Sequence, residues 1–264
     1  MLTKKTLNFP RIFCLAALSV VGLMSLAVPA QAGPIQYVQN GSFETLTTGN
    51  SITVGSGGYF CQVGTTCTSN VANWSSVCRS NSCGTGNTPD SLLSNASGSA
   101  FNGNIGLYSS ALSPDGGNYV AFDGDTNFNA SISQTITGLT AGNSYALTFY
   151  QAAAQQKGTT GPTTEQWQIN FGSHQYNSTL MTNLSQGFVP WTKQTLTIVA
   201  DATNVTLSFL SVGTPSGQPP VVMLDGISLI ATPEPQTFLM VGVGMVAIPL
   251  IAQRRRRRKM AAAQ

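Results

Sequence analysis

The chain has 264 residues, of which only 8% are charged, and its formal net charge is +3. That positive sign belongs to the two ends. Between Gly33 and Ala231 three cations, Arg79, Lys157 and Lys193, face eight acids, a net charge of −5, which excludes nucleic acid and anionic lipid as partners of the body.

Residues 1–32 read as an export signal. Lys4, Lys5 and Arg11 form a positive n-region, Ile12 to Val28 an apolar h-region, and Ala30-Gln31-Ala32 supplies small residues at −3 and −1. Signal peptidase reads that order, with cleavage after Ala32, and the rest of the chain leaves the cytoplasm. An uncleaved N-terminal anchor is the alternative.

The body, residues 33–231, is long enough for one domain with a substantial core. Four cysteines, Cys61, Cys67, Cys78 and Cys83, fall within 23 residues of one another. An even count in an exported chain predicts two disulfides, with three pairings open, stapling an insertion around 59–84. Zinc is the competing reading, but the spacings are not of the paired C-x-x-C kind and no histidine lies nearby.

Short alternating segments predict strands at Asn118–Asp123, Ser131–Ile136, Tyr145–Gln151, Trp167–Phe171, Gln194–Ala200, Val205–Leu210 and Val221–Ile230. Turn signals such as Thr140-Ala141-Gly142-Asn143 and Asp201-Ala202-Thr203-Asn204 separate them, and no segment of the body sustains a 3.6-residue period. This pattern predicts an all-β sandwich. Two polar stretches, Thr45–Leu112 and Ala152–Glu165, interrupt it and are expected as long loops.

Sugar faces stack on aromatic rings while amides and carboxylates bond the hydroxyls. Tyr59, Trp74, Tyr108 and Trp191, all in turn-rich surroundings, are therefore the candidate sugar contacts, whereas Trp167, alternating with Ile169 and Phe171, is expected in the core. Catalysis has little to stand on. His174 is the single histidine, and nothing in the spacing selects a carboxylate pair from Asp115, Asp123 and Glu165. Asp123-Gly124-Asp125 reads as turn chemistry rather than a calcium loop.

Three stretches resemble the galactose-binding-like jelly roll of many carbohydrate-binding modules: VQNGSFE (Val38–Glu44), DGGNYVAFDGDTNFNASISQTITGLTAGNSYALTF (Asp115–Phe149) and VMLDGISL (Val222–Leu229). The resemblance implies a jelly-roll β-sandwich in which the first and last motifs meet, often around a structural calcium ion. Here Glu44 and Asp225 would supply anionic oxygens, and carbonyls around Asn40 and Gly41 neutral ones. The cysteine-bearing insertion departs from the family's compact spacing.

Residues 232–264 close the chain. Pro233-Glu234-Pro235 precedes an apolar run of 15 residues, Phe238–Ala252, and then the basic cluster Arg254, Arg255, Arg256, Arg257, Arg258 and Lys259. A helix of that length spans about 23 Å, short of the roughly 30 Å hydrocarbon core, while the cations would hold its end in the cytoplasm. The three parts in order resemble the PEP-CTERM sorting tail of Gram-negative bacteria that make extracellular polysaccharide. The resemblance implies an exosortase-type membrane transpeptidase as partner, cleaving near the Pro-Glu-Pro triplet. An ordinary single-pass anchor is the alternative. Together these readings describe an exported, non-catalytic surface or matrix protein that binds or organises extracellular polysaccharide. A structural or adhesion protein without sugar binding is second, and a glycan-active enzyme third.

Overall fold

The computed structural model describes residues 34–47, 61–62, 70–78, 91–94, 101–102 and 105–232. The signal sequence, the Pro-Glu-Pro tail, Tyr59, Cys67 and Cys83 lie outside them.

Sixteen strands are described, and no helix among those residues. The early ones are short: β1 (Leu46–Thr47), β2 (Cys61–Gln62), β3 (Asn70–Val71), β4 (Ser75–Cys78), β5 (Ser91–Ser94), β6 (Phe101–Asn102) and β7 (Ile105–Gly106). The rest are β8 (Tyr119–Asp123), β9 (Ala130–Thr137), β10 (Ser144–Gln155), β11 (Thr163–Phe171), β12 (His174–Asn177), β13 (Met181–Asn183), β14 (Phe188–Val199), β15 (Asn204–Thr214) and β16 (Pro220–Ala231). One sheet runs β14-β10-β16-β8-β5-β2 and the other β12-β11-β15-β9-β4, with β13 also paired to β11. The pairings are antiparallel. The predicted all-β sandwich is thus the observed architecture.

Alternation dictates which side chains meet between the sheets. Phe149 of β10 and Phe122 of β8 come from one sheet, Trp167 of β11 and Phe209 of β15 from the other, all fully buried. Their rings meet edge to face at 5.2 Å (Phe149–Phe209), 5.7 Å (Phe122–Trp167) and 6.1 Å (Trp167–Phe209), the favourable aromatic geometry. The Trp167 indole N–H donates to the Met223 carbonyl at 3.1 Å, so a core tryptophan keeps its polar atom satisfied. A smaller cluster, with Leu107, Tyr119, Ala121 and Met223, lies on the opposite face of the first sheet. β8 is therefore buried on both faces, which its YVAFD alternation anticipates only for Val120 and Phe122.

Strand positions follow the sequence pattern, but the expected loop at Ala152–Glu165 is a correction. Ala152–Gln155 continues β10 and Thr163–Glu165 opens β11, leaving 156–162 as the connection. Small alanines carry a weak hydrophobic signal, and Gln151 and Gln155 are buried because their amides find backbone partners, Thr179 O at 2.8 Å and Gly161 O at 3.0 Å. Thr45–Leu112 likewise contains strands β1 to β7 rather than an unbroken loop. Cys61 and Cys78 sit on edge strands of different sheets, and no disulfide is seen among the described residues.

Candidate functional site

A groove of about 600 Å³ runs along the outer face of β9. Period-2 alternation turns Ile132 and Ile136 inward, so Ser133, Thr135 and Thr137 form the floor. The β3–β4 turn builds the wall from Val71, Asn73, Trp74 and Ser75, with Gln39 and Gln134 at one end. Asn73 holds a left-handed backbone, φ 67°, which asparagine tolerates better than most residues.

Gln134 clips this wall to the floor. Its amide nitrogen donates to Gln39 O at 2.8 Å and Asn73 O at 3.0 Å, and its oxygen accepts from Gln39 N at 2.8 Å. Asn40 anchors the wall from behind, donating to Ala72 O and Thr45 O, both at 2.9 Å, while its carbonyl receives the Trp74 indole N–H at 3.0 Å. With those groups engaged, the hydroxyls of Ser75, Thr135 and Thr137 and the side chains of Asn73 and Gln39 face solvent. Among the described residues the lining contains no charged side chain. Chemically the groove can hold a neutral, hydroxyl-rich ligand by hydrogen bonds.

The candidate aromatics are placed differently from the exposed platforms expected. Trp74 is 8% exposed and packs on Phe43 at 5.5 Å, so it contributes an edge of the groove rather than an open ring. Trp191 is half-buried, meets Tyr119 edge-on at 5.2 Å and donates to Ala111 O at 2.9 Å. Tyr108 donates to Thr159 O at 3.0 Å. In each case the polar handle that makes an aromatic look available for sugar is spent on the backbone. Trp74, Trp191 and Tyr108 do not converge on one surface, and only Trp74 lines the groove.

The first and last motifs do meet. Ile227 N donates to Gly41 O at 3.0 Å, an approach so close that a Cβ on Gly41 would strike the Ile227 carbonyl. Nearby, Asp225 of β16 is fully buried, and neither carboxylate oxygen has a well-formed hydrogen bond. Burial, with lesser contributions from the Asp115 and Glu44 charges, pushes its pKa up to about 8. The Ser113 hydroxyl and Gly226 amide pull weakly the other way without closing a proper bond. Glu44 is exposed and accepts from Asn118 N at 2.5 Å. A buried carboxylate with two orphaned oxygens beside two further acids is a place where a cation would lower the energy. The donor set fits in part. Asn40 is consumed by its turn, and among the described residues no three His, Cys, Asp or Glu side chains are arranged to hold a metal ion by themselves.

Asp123-Gly124-Asp125 is turn chemistry, as expected. Burial would raise the Asp125 pKa, but the amides of Asn127 and Gly217 and the Ser216 hydroxyl outweigh it and hold it low. His174 is exposed on β12. Glu165, one of the conceivable catalytic acids, is wholly buried.

No family model matches the sequence, and no curated protein matches it. Solved structures do. A family 61 carbohydrate-binding module in complex with beta-1,4-galactotriose is 13% identical, covers 75% of this chain and 99% of its own, and has a TM-score of 0.39. A family 4 module is 18% identical over 74% of this chain and 99% of its own, with a TM-score of 0.34. A family 22 xylan-binding domain from Paenibacillus barcinonensis is 16% identical over 62% of this chain and 94% of its own, also with a TM-score of 0.34. Likenesses of this size assign no ligand.

The groove residues Gln39, Asn73, Ser75, Ser133, Thr135 and Thr137 escape sequence reasoning. The signal was available in SISQTI: once its isoleucines are assigned inward, its small hydroxyls must share the other face.

Proposed function

We infer that the sandwich is a non-catalytic module that holds neutral polysaccharide in the β4–β9 groove. One observation carries this: an open groove of about 600 Å³ whose lining, among the described residues, offers hydroxyls and amides but no charge. Among the described lining residues an anionic polymer would find no cation and a hydrolase no carboxylate pair. The galactose-binding-like jelly roll is the fold family this reading adopts. Calcium at Asp225, with Asp115, Glu44 and the Gly41 carbonyl as its neighbours, would neutralise the buried carboxylate and brace the turn behind the groove wall.

Export through the signal sequence and sorting through the Pro233-Glu234-Pro235 tail by an exosortase-type transpeptidase would deliver the module to the cell surface or matrix. The test is a titration of the full-length chain against the producing organism's exopolysaccharide, with calcium and then with a chelator. Saturable binding that the double substitution Asn73→Ala, Thr135→Ala weakens supports the groove. Binding unaffected by that substitution sinks it, and no binding in either condition moves the protein to a structural or adhesion role.

A further inference from the structure

Where β10 gives way to β11, polar side chains point into the core. Thr163 and Glu165 occupy inward positions of β11 and Asn183 an inward position of β13, with exposures of 1%, 0% and 1%. The register sets Thr163 directly opposite Asn183, and paired side chains on one face of an antiparallel ladder have Cβ atoms about 5 Å apart. The Thr163 hydroxyl donates to Glu165 Oε1 at 2.5 Å, while Glu165 Oε2 has no partner. Asn183 Nδ2 donates to Gly187 O at 3.2 Å, which fixes the carboxamide. Gln155 lies at the same end, but both its amide atoms are tied, to Gly161 O and Gln186 N, and the register does not pair it with Thr163.

A hydroxyl bonded to a carboxylate, beside a carboxamide, has the parts of an acyl-transfer centre: nucleophile, general base and acyl group. All three are buried, so an external substrate has no access and the acyl group at hand is the chain's own.

We propose that Thr163 and Asn183 form a self-catalysed ester cross-link between β11 and β13, with Glu165 as the general base. Glu165 Oε1 takes the hydroxyl proton as Thr163 Oγ1 bonds to Asn183 Cγ. The tetrahedral centre collapses as the Cγ–Nδ2 bond breaks, and Glu165 returns the proton to the departing nitrogen. Alcohol plus carboxamide gives ester plus ammonia, with no oxidant or co-reactant. Burial pushes the Glu165 pKa up to about 7, so both protonation states are accessible near neutral pH, as a group that accepts and then returns a proton requires. The same burial keeps out the water that would hydrolyse the product.

The full-length folded chain, denatured and cut with trypsin and a glutamate-specific protease, decides the matter. Cleavage after Lys157, Glu165 and Lys193 places Thr163 and Asn183 on separate peptides. The ester holds them in one species lighter by one ammonia than the two together, and hydroxylamine releases them. Thr163→Val gives two free peptides. Glu165→Gln leaves peptide 158–193 at its full mass under trypsin alone. Two unlinked peptides of unmodified mass from the wild-type protein overturn the proposal, whatever the variants do, and so does ammonia loss confined to the Asn183 peptide without a link.

Discussion

Asn40 ties the first motif to the groove wall. It sits at φ 52° and makes three side-chain hydrogen bonds, to Thr45 N, Thr45 O and Ala72 O. At about 1 kcal/mol for each bond, Asn40→Ala should lower stability by about 2–3 kcal/mol, seen as a fall in the urea midpoint at unchanged slope. Two buried acids set the response to pH. Glu165 is raised from 4.5 to about 7 and Asp225 from 3.8 to about 8, both chiefly by burial. The folded chain therefore binds these protons more tightly than the unfolded chain, and stability must fall as pH rises from about 4 to about 8. The Glu165 share is about 3 kcal/mol at most, complete by pH 7. Urea midpoints measured from pH 4 to 9 should drop across that window, and Glu165→Gln should remove the part between pH 4.5 and 7. Added calcium should restore stability at pH 8 but not at pH 4, if Asp225 is where it binds.

β9 shows how much a strand's pattern reveals and where it stops. Its alternation predicts a strand, in which the structure turns Ile132 and Ile136 into the core, and the same logic locates β8, β10, β11, β14, β15 and β16 to within a few residues for most ends. What the pattern could not supply was the partner beside each strand. The groove exists because β9 pairs with β4, more than 50 residues earlier, so its wall and floor come from stretches with no shared local signal. Strands β12 and β13 were illegible for a related reason: they are short, polar and held by register with β11 rather than by an apolar stripe. Trp74 illustrates the opposite error. A tryptophan in a turn-rich stretch looked like an exposed platform, but Phe43 and the Asn40 carbonyl claim it. Thr135 is exposed, but Asn73 sits at φ 67°, where alanine is tolerated less well than asparagine, so the double alanine substitution should lower stability by about 1 kcal/mol. It should weaken glycan binding about tenfold, the equivalent of one to two hydrogen bonds. Calorimetric titration beside a melting curve separates the two effects.

For the whole molecule, sorting makes a claim that the sandwich does not touch. Mature protein from the native host should lack Arg254 to Lys259 by mass spectrometry, and a retained basic cluster would favour the simple anchor. The tail begins at once where the fold ends: β16 finishes at Ala231, and the Pro-Glu-Pro triplet starts at Pro233. β16 is an interior strand, laddered to β10 along both halves and to β8 through Val221–Leu224. Gln36, near the front of the body, bridges to Ile230 at the same end of that strand. Were the tail to serve as an attachment, a pull on it would enter β16 along its axis, loading the β10 ladder and the Gln36 bridge together in shear rather than unzipping them one at a time. A tether so placed would let the proposed module bear drag on a bound polymer without first peeling away a strand.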